Sequence, residues 1–458
     1  MIASPRLATA APPVDAQVLA PAKDDGAAGR LVRSLAQAIV RDVAAVRGLP
    51  LRRPIEVGVH DDESLRGFVL AELRKDGGTA RRAALSLAWS RLGLLPPGTD
   101  LLGETVQLLQ AQVAGFYVPG VFALRVARGL VPLGPQWPNP LHLLTGTPEE
   151  KLRFVMAHEL VHALGDQRWD LQRASRERPG ETDVELASSA LVEGDATVAG
   201  LAWAMQDRSP LFDPAGLFLG GDNVTWILEL AMKLARRGLL PDAGGLDRAP
   251  AALAESLLFP YVAGTRLVLA AGAGRRVGGR RLPPGFAGVD ALYEAPPIST
   301  EQVLHPERLL GTRDDPVRIQ LRVPRKLLPR RARLAAQDII GELLFRVLLR
   351  ATLPDAEADR AAEGWDGDLL LHWQAKSGED ALLWISVWDT DEDAAEAEAA
   401  LRRRFDPAGD LHILRRGDAL ALARGADAAR TLRLLTFALD KHRRRPGRSA
   451  KVPLRRRL

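Results

Sequence analysis

The 458-residue chain contains no cysteine. Disulfides, thiolate metal sites, thiol nucleophiles and iron–sulfur clusters are therefore excluded, and any metal must be held by histidine and carboxylate. The redox compartment is left open. Histidine is scarce too, with eight in the whole chain, so two placed close together carry information. No uninterrupted apolar run reaches the ~20 residues of a membrane span. The nearest, Leu257 to Ala273, is broken by Pro260 and Arg266 and is expected to be a buried helix. The glycines from Gly272 to Gly279 do not form a dinucleotide-binding pattern, because Val277 stands where the third glycine is required; that stretch is expected to be a flexible basic loop.

What is present is 47% hydrophobic residues, enough to bury a large core and to build two or three domains. The formal charge is +5, yet Lys441 to Leu458 alone hold nine Lys or Arg and no acid. The rest of the chain carries 53 basic against 57 acidic residues, so the basic balance belongs to the tail. Residues 441–458 are expected to be a disordered basic tail without an aromatic for base stacking. A weak polyanion contact fits it, and specific nucleic-acid recognition does not. Residues 1–29, rich in Ala and Pro, lack the basic-then-apolar order of a signal peptide and are expected to be a disordered leader. The sequence as given predicts a soluble, cytoplasmic protein, or an exported one if a signal precedes it.

The informative stretch is His158-Glu159-Leu160-Val161-His162. On a helix, histidines four residues apart project from one face with Glu159 beside them, which is the geometry of a zinc hydrolase. The helix start is written just upstream: Thr147 as N-cap, Pro148 at the first position and Glu150 closing a capping box. The helix is expected to run through about Gln167. Zinc in a hydrolase needs three protein ligands and an open fourth position. A third histidine six residues after His162 is absent, since Arg168 stands there. The third ligand must lie elsewhere. A second helix, Asp183 to Gln206, begins at Thr182 with Glu185 as capping partner and carries a face of small residues, Ala187, Ala190, Gly194 and Val198, that lets another helix approach closely. Glu193 beside that face is the leading candidate, with Asp195 as the alternative or as a hydrogen-bond partner of a ligand histidine. Glu159 would act as general base on a metal-activated water. Tyr117, Tyr261 and His305 are the candidate donors to a developing oxyanion.

Around this motif the chain alternates in character. A helix is expected over Arg30 to Arg47, a strand over Ile55 to His60, and helices from about Asp62 to Lys75, Leu85 to Leu95 and Leu101 onward. Gly115 to Gly120 is expected to be a bend, followed by a strand over Val121 to Val126 placed as the edge that pairs with a peptide substrate. Past Pro316 the pattern predicts strand 317–323, helix 334–349, strand pairs near 368–373 and 381–388, helix 391–405, two further strands and a last helix to Lys441. That is a compact α+β unit in which His372 and His412 are strand residues rather than ligands.

Four strings, Gly115-Phe116-Tyr117, His158 to Asp170, Ala190 to Thr197 and Ser299 to Glu307, together resemble a bacterial family of HExxH zinc metallopeptidases of the gluzincin type. The resemblance extends from about Ile55 through the C-terminal unit. It implies that His158, His162 and Glu193 bind zinc and that Glu159 is the base. Val118 stands where an Asp is expected after Phe-Tyr, and Gly165 where a Gln is expected; both departures bear on the cleft rather than on a ligand. The resulting expectation is an α+β protein: a mainly helical zincin-like metallopeptidase domain with a small sheet over residues 30–310, then a smaller α+β domain over 317–440. Its function would be zinc-dependent peptide-bond hydrolysis on a protein or peptide substrate. The alternative is a metal-stabilised binding or scaffold protein without proteolytic activity.

Overall fold

The computed structural model describes residues 26–74, 78–112, 114–121, 123–133, 147–171, 181–208, 217–218, 245–274, 276–277, 280–405 and 410–446. Residues 1–25 of the expected leader and 447–458 of the expected tail lie outside the described residues.

The architecture is mixed α+β, with several small sheets among long helices. Helix α1 (Gly26–Arg47) buries a stripe of Val32, Ala36, Ile39 and Val43, and Arg47 continues that stripe. Strand β1 (Glu56–His60) follows, then helices α2 (Asp62–Arg74), α3 (Gly78–Leu92) and α4 (Leu101–Gln112). Strands β2 (Gly115–Val118) and β3 (Ala123–Ala127) complete a three-stranded sheet of order β1-β3-β2. The edge expected at Val121 to Val126 is instead the central strand, parallel to β1 and antiparallel to β2. The Gly115 to Gly120 stretch, read as a bend, supplies the edge strand itself. The cause is a tight hairpin: Gly120, at φ 78°, turns the chain, and the Ala127 amide donates to Ala114 O at 2.8 Å.

Two helices then run through the core. Helix α5 (Pro148–Arg168) starts with the capping box that its sequence predicts, Thr147 accepting from the Glu150 amide at 3.2 Å and Glu150 Oε2 accepting from the Thr147 amide at 2.7 Å. Helix α6 (Thr182–Arg208) packs against α5 and against helix α7 (Ala251–Gly272). Among the described residues α7 is the one helix long and apolar enough to cross a membrane by length and composition, and most of it is buried here. Gly194 and Gly264 let α6 and α7 touch: a Cβ on Gly264 would lie 2.0 Å from Ala190 O, and one on Gly194 would lie 2.2 Å from Gly264 O. Part of the expected basic loop after α7 is a ribbon of β4 (Arg276–Val277) and β5 (Arg280–Arg281). Helices α8 (Phe286–Glu294), α9 (Thr300–Leu304) and α10 (Pro306–Leu310) close this part.

The remainder comprises β6 (Arg318–Gln320), β7 (Arg333–Asp338), α11 (Gly341–Arg350), α12 (Asp355–Ala362), β8 (Trp365–Gln374), β9 (Asp380–Trp388), α13 (Asp391–Arg404), β10 (Leu411–Arg416), β11 (Ala419–Gly425), α14 (Ala428–Lys441) and β12 (Arg443–Arg445). Its five-stranded sheet has the order β10-β11-β9-β8-β7, antiparallel throughout. The helix expected from Leu334 to Leu349 is divided: its first part is strand β7. Pairing with β8 overrides the local helix propensity of Leu-Ala-Ala-Gln, and Gly341 at φ 75° separates the strand from the helix. The sheet alternates between two cores. Leu370, Leu382, Trp384 and Leu422 join the large core that also holds Met156, Leu160 and Ala190, whereas Leu369, Leu371, Leu383 and Ile385 pack under α14 with Ile319 and Leu327.

The C-terminal unit also fixes where α6 begins. Asp338, at the end of β7, accepts from the Thr182 amide and hydroxyl, both at 2.9 Å, and from Trp89 Nε1 at 3.0 Å. The next residue, Asp183, accepts from the Thr300 amide at 2.8 Å and donates its own amide to Ile339 O at 3.0 Å. Thr182 is thus the first helical residue, with its hydroxyl donating to the end of β7. A helix start is buried here because a carboxylate from another element satisfies its donors.

Candidate metal centre

His158 and His162 lie on the middle of α5, both buried, with their rings 4.8 Å apart at centroid and nearly perpendicular. Glu193 comes from the facing side of α6 and is 3% exposed. Its Oε2 lies 3.2 Å from His158 Nε2 and 3.4 Å from His162 Nε2, and the two Nε2 atoms are 3.1 Å apart. Three donor atoms therefore form a near-equilateral triangle. Ligands at the usual zinc distances of about 2.0–2.1 Å in tetrahedral array stand roughly 3.3–3.4 Å from one another, so the triangle has the size of a zinc face. The small residues of α6 make this possible: a Cβ on Gly200 would sit 3.8 Å from the His158 backbone, showing how close the two helices run.

Electrostatics follow from burial of four ionisable groups together. Burial pushes His158 down to about 4, against the pull of Glu193. For His162, burial acts in the same sense but is outweighed by Glu193, Glu159 and Asp195, which raise it. Glu193 is pushed up by burial, yet the two imidazoles hold it below the ordinary carboxylate range. The cluster thus concentrates lone pairs around a point that a cation would neutralise.

Glu159 is 1% exposed and close enough for a carboxylate oxygen to lie within 4.8 Å of both imidazole nitrogens. Its carboxylate takes a hydrogen bond from the Tyr117 backbone amide on β2. Because Ala114 and Ala127 are a hydrogen-bonded pair across the hairpin, Tyr117 falls on a non-bonded position and directs its amide outward from the sheet. Glu159 Oε2 is buried with no hydrogen-bond partner. Burial raises its pKa to about 7, with Glu193 adding to the effect and His162 opposing it. Gly115 makes room for this arrangement, since a Cβ there would meet Val155 Cγ1 at 2.7 Å and Glu159 Cγ at 3.4 Å.

The three candidate oxyanion donors separate. Tyr261, on α7, has its ring 6.4 Å from that of His158, and its hydroxyl lies towards the Glu193 carboxylate. Burial and the neighbouring Glu193 and Glu159 carboxylates raise its pKa well above the ordinary value, so it keeps its proton. The Tyr117 hydroxyl is instead donated to Asp166 Oδ2 at 3.0 Å, an oxygen that also accepts the Gly120 amide. His305, between α9 and α10, is held by Glu342 at 3.0 Å and lies 3.1 Å from an Arg346 nitrogen, both on α11. The structure brings Tyr261 to the imidazole pair and gives His305 and the Tyr117 hydroxyl partners elsewhere.

Asp195, the alternative ligand, has both oxygens engaged: Arg47 Nε donates to Oδ1 at 2.7 Å and the Tyr293 hydroxyl to Oδ2 at 3.0 Å. Arg47 also pairs with Asp290 at 2.8 Å, and Tyr293 stacks on Trp169 with centroids 4.0 Å apart. This buried network locks α1, α6 and α8 together behind the histidines. Sequence reasoning missed Arg47 and Tyr293, although an arginine continuing the apolar stripe of α1 is a readable sign of a buried ion pair. His372 and His412 do lie on strands β8 and β10.

Comparison with known proteins reaches the other unit. Residues 330–436 match a family model described as a domain of unknown function (DUF8575), a span that runs from the start of β7 into α14 and contains none of His158, Glu159, His162 and Glu193. No curated protein and no solved structure matches the chain.

Proposed function

We propose that the chain is a zinc-dependent peptidase with a zincin-like helical domain, in which His158, His162 and Glu193 hold the metal and Glu159 is the general base. The observation that carries the reading is the triangle of His158 Nε2, His162 Nε2 and Glu193 Oε2, with edges of 3.1, 3.2 and 3.4 Å, and with the unpartnered Glu159 Oε2 beside it. A structural zinc site closes all four positions with protein atoms, whereas three ligands leave one for chemistry.

When bound, zinc lowers the pKa of water towards neutrality and polarises a carbonyl. Glu159 is prepared for the proton. The Tyr117 amide orients its carboxylate while leaving Oε2 open to take a proton and return it to a leaving amine. Tyr261 acts only as a donor, because its proton is held firmly. Its hydroxyl stands next to Glu193, where it can turn towards charge developing on the substrate carbonyl.

The test is metal content. The chain purified without chelator is expected to carry about one zinc per molecule, measured by plasma mass spectrometry, in line with a single three-ligand site. Glu193→Ala should bring zinc towards zero while Asp195→Asn leaves most of it. Parent protein free of zinc even after reconstitution with the metal would sink the reading.

A further inference from the structure

The cations of the folded C-terminal unit are not evenly spread. From Val317 to Gln337 the chain has no acidic residue and no aromatic. Over this stretch Arg322, Arg325, Lys326, Arg330, Arg331 and Arg333 are all exposed. Strand β12 adds Arg443 and Arg445, because it pairs antiparallel with β6 and sets Arg445 opposite Arg318. Two cations of this region are neutralised, Arg318 by Glu181 and Arg444 by Asp418. The other eight form no ion pair among the described residues. The segment is anchored by Ile319 and Leu327, which pack with Leu434 and Leu435 of α14 on the sheet face opposite the metal helices.

Two features separate this face from an ordinary solvated charge run. Arg331 is the one non-glycine residue with positive φ among the described residues, at 60°. It occupies the third position of a turn closed by the Ala332 amide on Pro329 O at 3.0 Å, a place that favours glycine. An arginine is thus kept at the tip of the turn against its backbone preference, which points to work done by the side chain. Three residues on, Leu334 is 49% exposed on β7, an edge strand of the sheet, and is paired with Trp373 on the face that α14 covers.

We infer that this face, built from residues 322–334 and β12, docks the protein on an anionic lipid surface, with the arginines on lipid phosphates and Leu334 entering the interfacial layer. Guanidinium groups match phosphate by bidentate hydrogen bonding. An apolar side chain amid cations fits the boundary of a bilayer, whereas single-stranded nucleic acid calls for stacking aromatics, and the face has none. Docking in this orientation leaves the metal helices on the side of the sheet away from the lipid.

The experiment is partition of the full chain onto phosphatidylcholine vesicles with and without phosphatidylserine, beside titration of duplex DNA. Binding should require phosphatidylserine and weaken with salt. R325Q/K326Q/R330Q/R331Q, with the tail intact, should lower partition by on the order of 500- to 1,000-fold, at about fivefold for each basic residue removed near such a surface. R331G should lose about fivefold while the melting temperature stays or rises, a combination that a purely structural role would not give. L334S should weaken vesicle binding but leave DNA binding unchanged. Partition that survives the four substitutions, that ignores phosphatidylserine, or that is exceeded by DNA binding overturns the inference.

Discussion

Glu159→Gln is expected to keep its zinc and lose peptide-bond cleavage by about two to four orders of magnitude, the usual contribution of a positioned general base. The substitution preserves shape. The glutamine carbonyl can still accept the Tyr117 amide, so the side chain stays oriented, but the NH₂ group then occupies the position of Oε2 and cannot take a proton. Metal analysis and cleavage of a broad peptide library on the same preparation separate the two roles. Cleavage at the parent rate would remove Glu159 from the chemistry. A zinc-loaded parent that cuts nothing in the library would favour the metal-stabilised scaffold instead.

The second large effect is expected from Gly264→Ala, a change of one methyl group. Its Cβ would lie 2.0 Å from Ala190 O and 2.8 Å from the carbonyl carbon, and both are backbone atoms of a helix that cannot swing aside as a side chain can. Relief requires α6 and α7 to separate along their length, at a cost of about 3 kcal/mol or more for overpacking a well-filled core. That is a large share of the roughly 5–15 kcal/mol by which a domain is stable. Because Tyr261 lies one turn from Gly264 on α7 and Glu193 is adjacent to Gly194 on α6, the same separation pulls the Tyr261 hydroxyl from the Glu193 carboxylate. Chemical denaturation should report the loss. Gly67→Ala is the control: the position is helical, exposed and open around its Cβ, and alanine there should stabilise by about 0.5–1 kcal/mol. Equal stability of the two variants would mean that the glycine contact does not hold the helices.

The parts of this molecule readable without a structure are those set by neighbours in sequence. Thr147 and Glu150 are three residues apart, so a capping box can be read directly, and the four-residue spacing of His158 and His162 places both imidazoles on one helical face. The small-residue face of α6 likewise pointed to a close helix contact, which the Gly194 and Gly264 clearances display. The fold departs from the local pattern where distant strands decide. Leu334 to Asp338 has the composition of a helix and becomes a strand because β8 offers it a ladder, and Gly115 to Val118 becomes an edge strand because β3 folds back on it.

Local spacing by itself determined the helix that carries His158, Glu159 and His162, the absence of a third histidine six residues on, and Glu193 with Asp195 beside it as the candidate carboxylates on another helix. Tertiary structure alone decided which of Tyr117, Tyr261 and His305 stands at the centre, that Asp195 is claimed by Arg47 and Tyr293, and that Glu159 is oriented by a backbone amide. The physical reason is one of range. Helical periodicity and capping act over three or four residues and are written in the order of the chain. The hydrogen bonds that commit a tyrosine, an aspartate or a histidine to one partner span 37 to 148 positions and exist only after the core has closed.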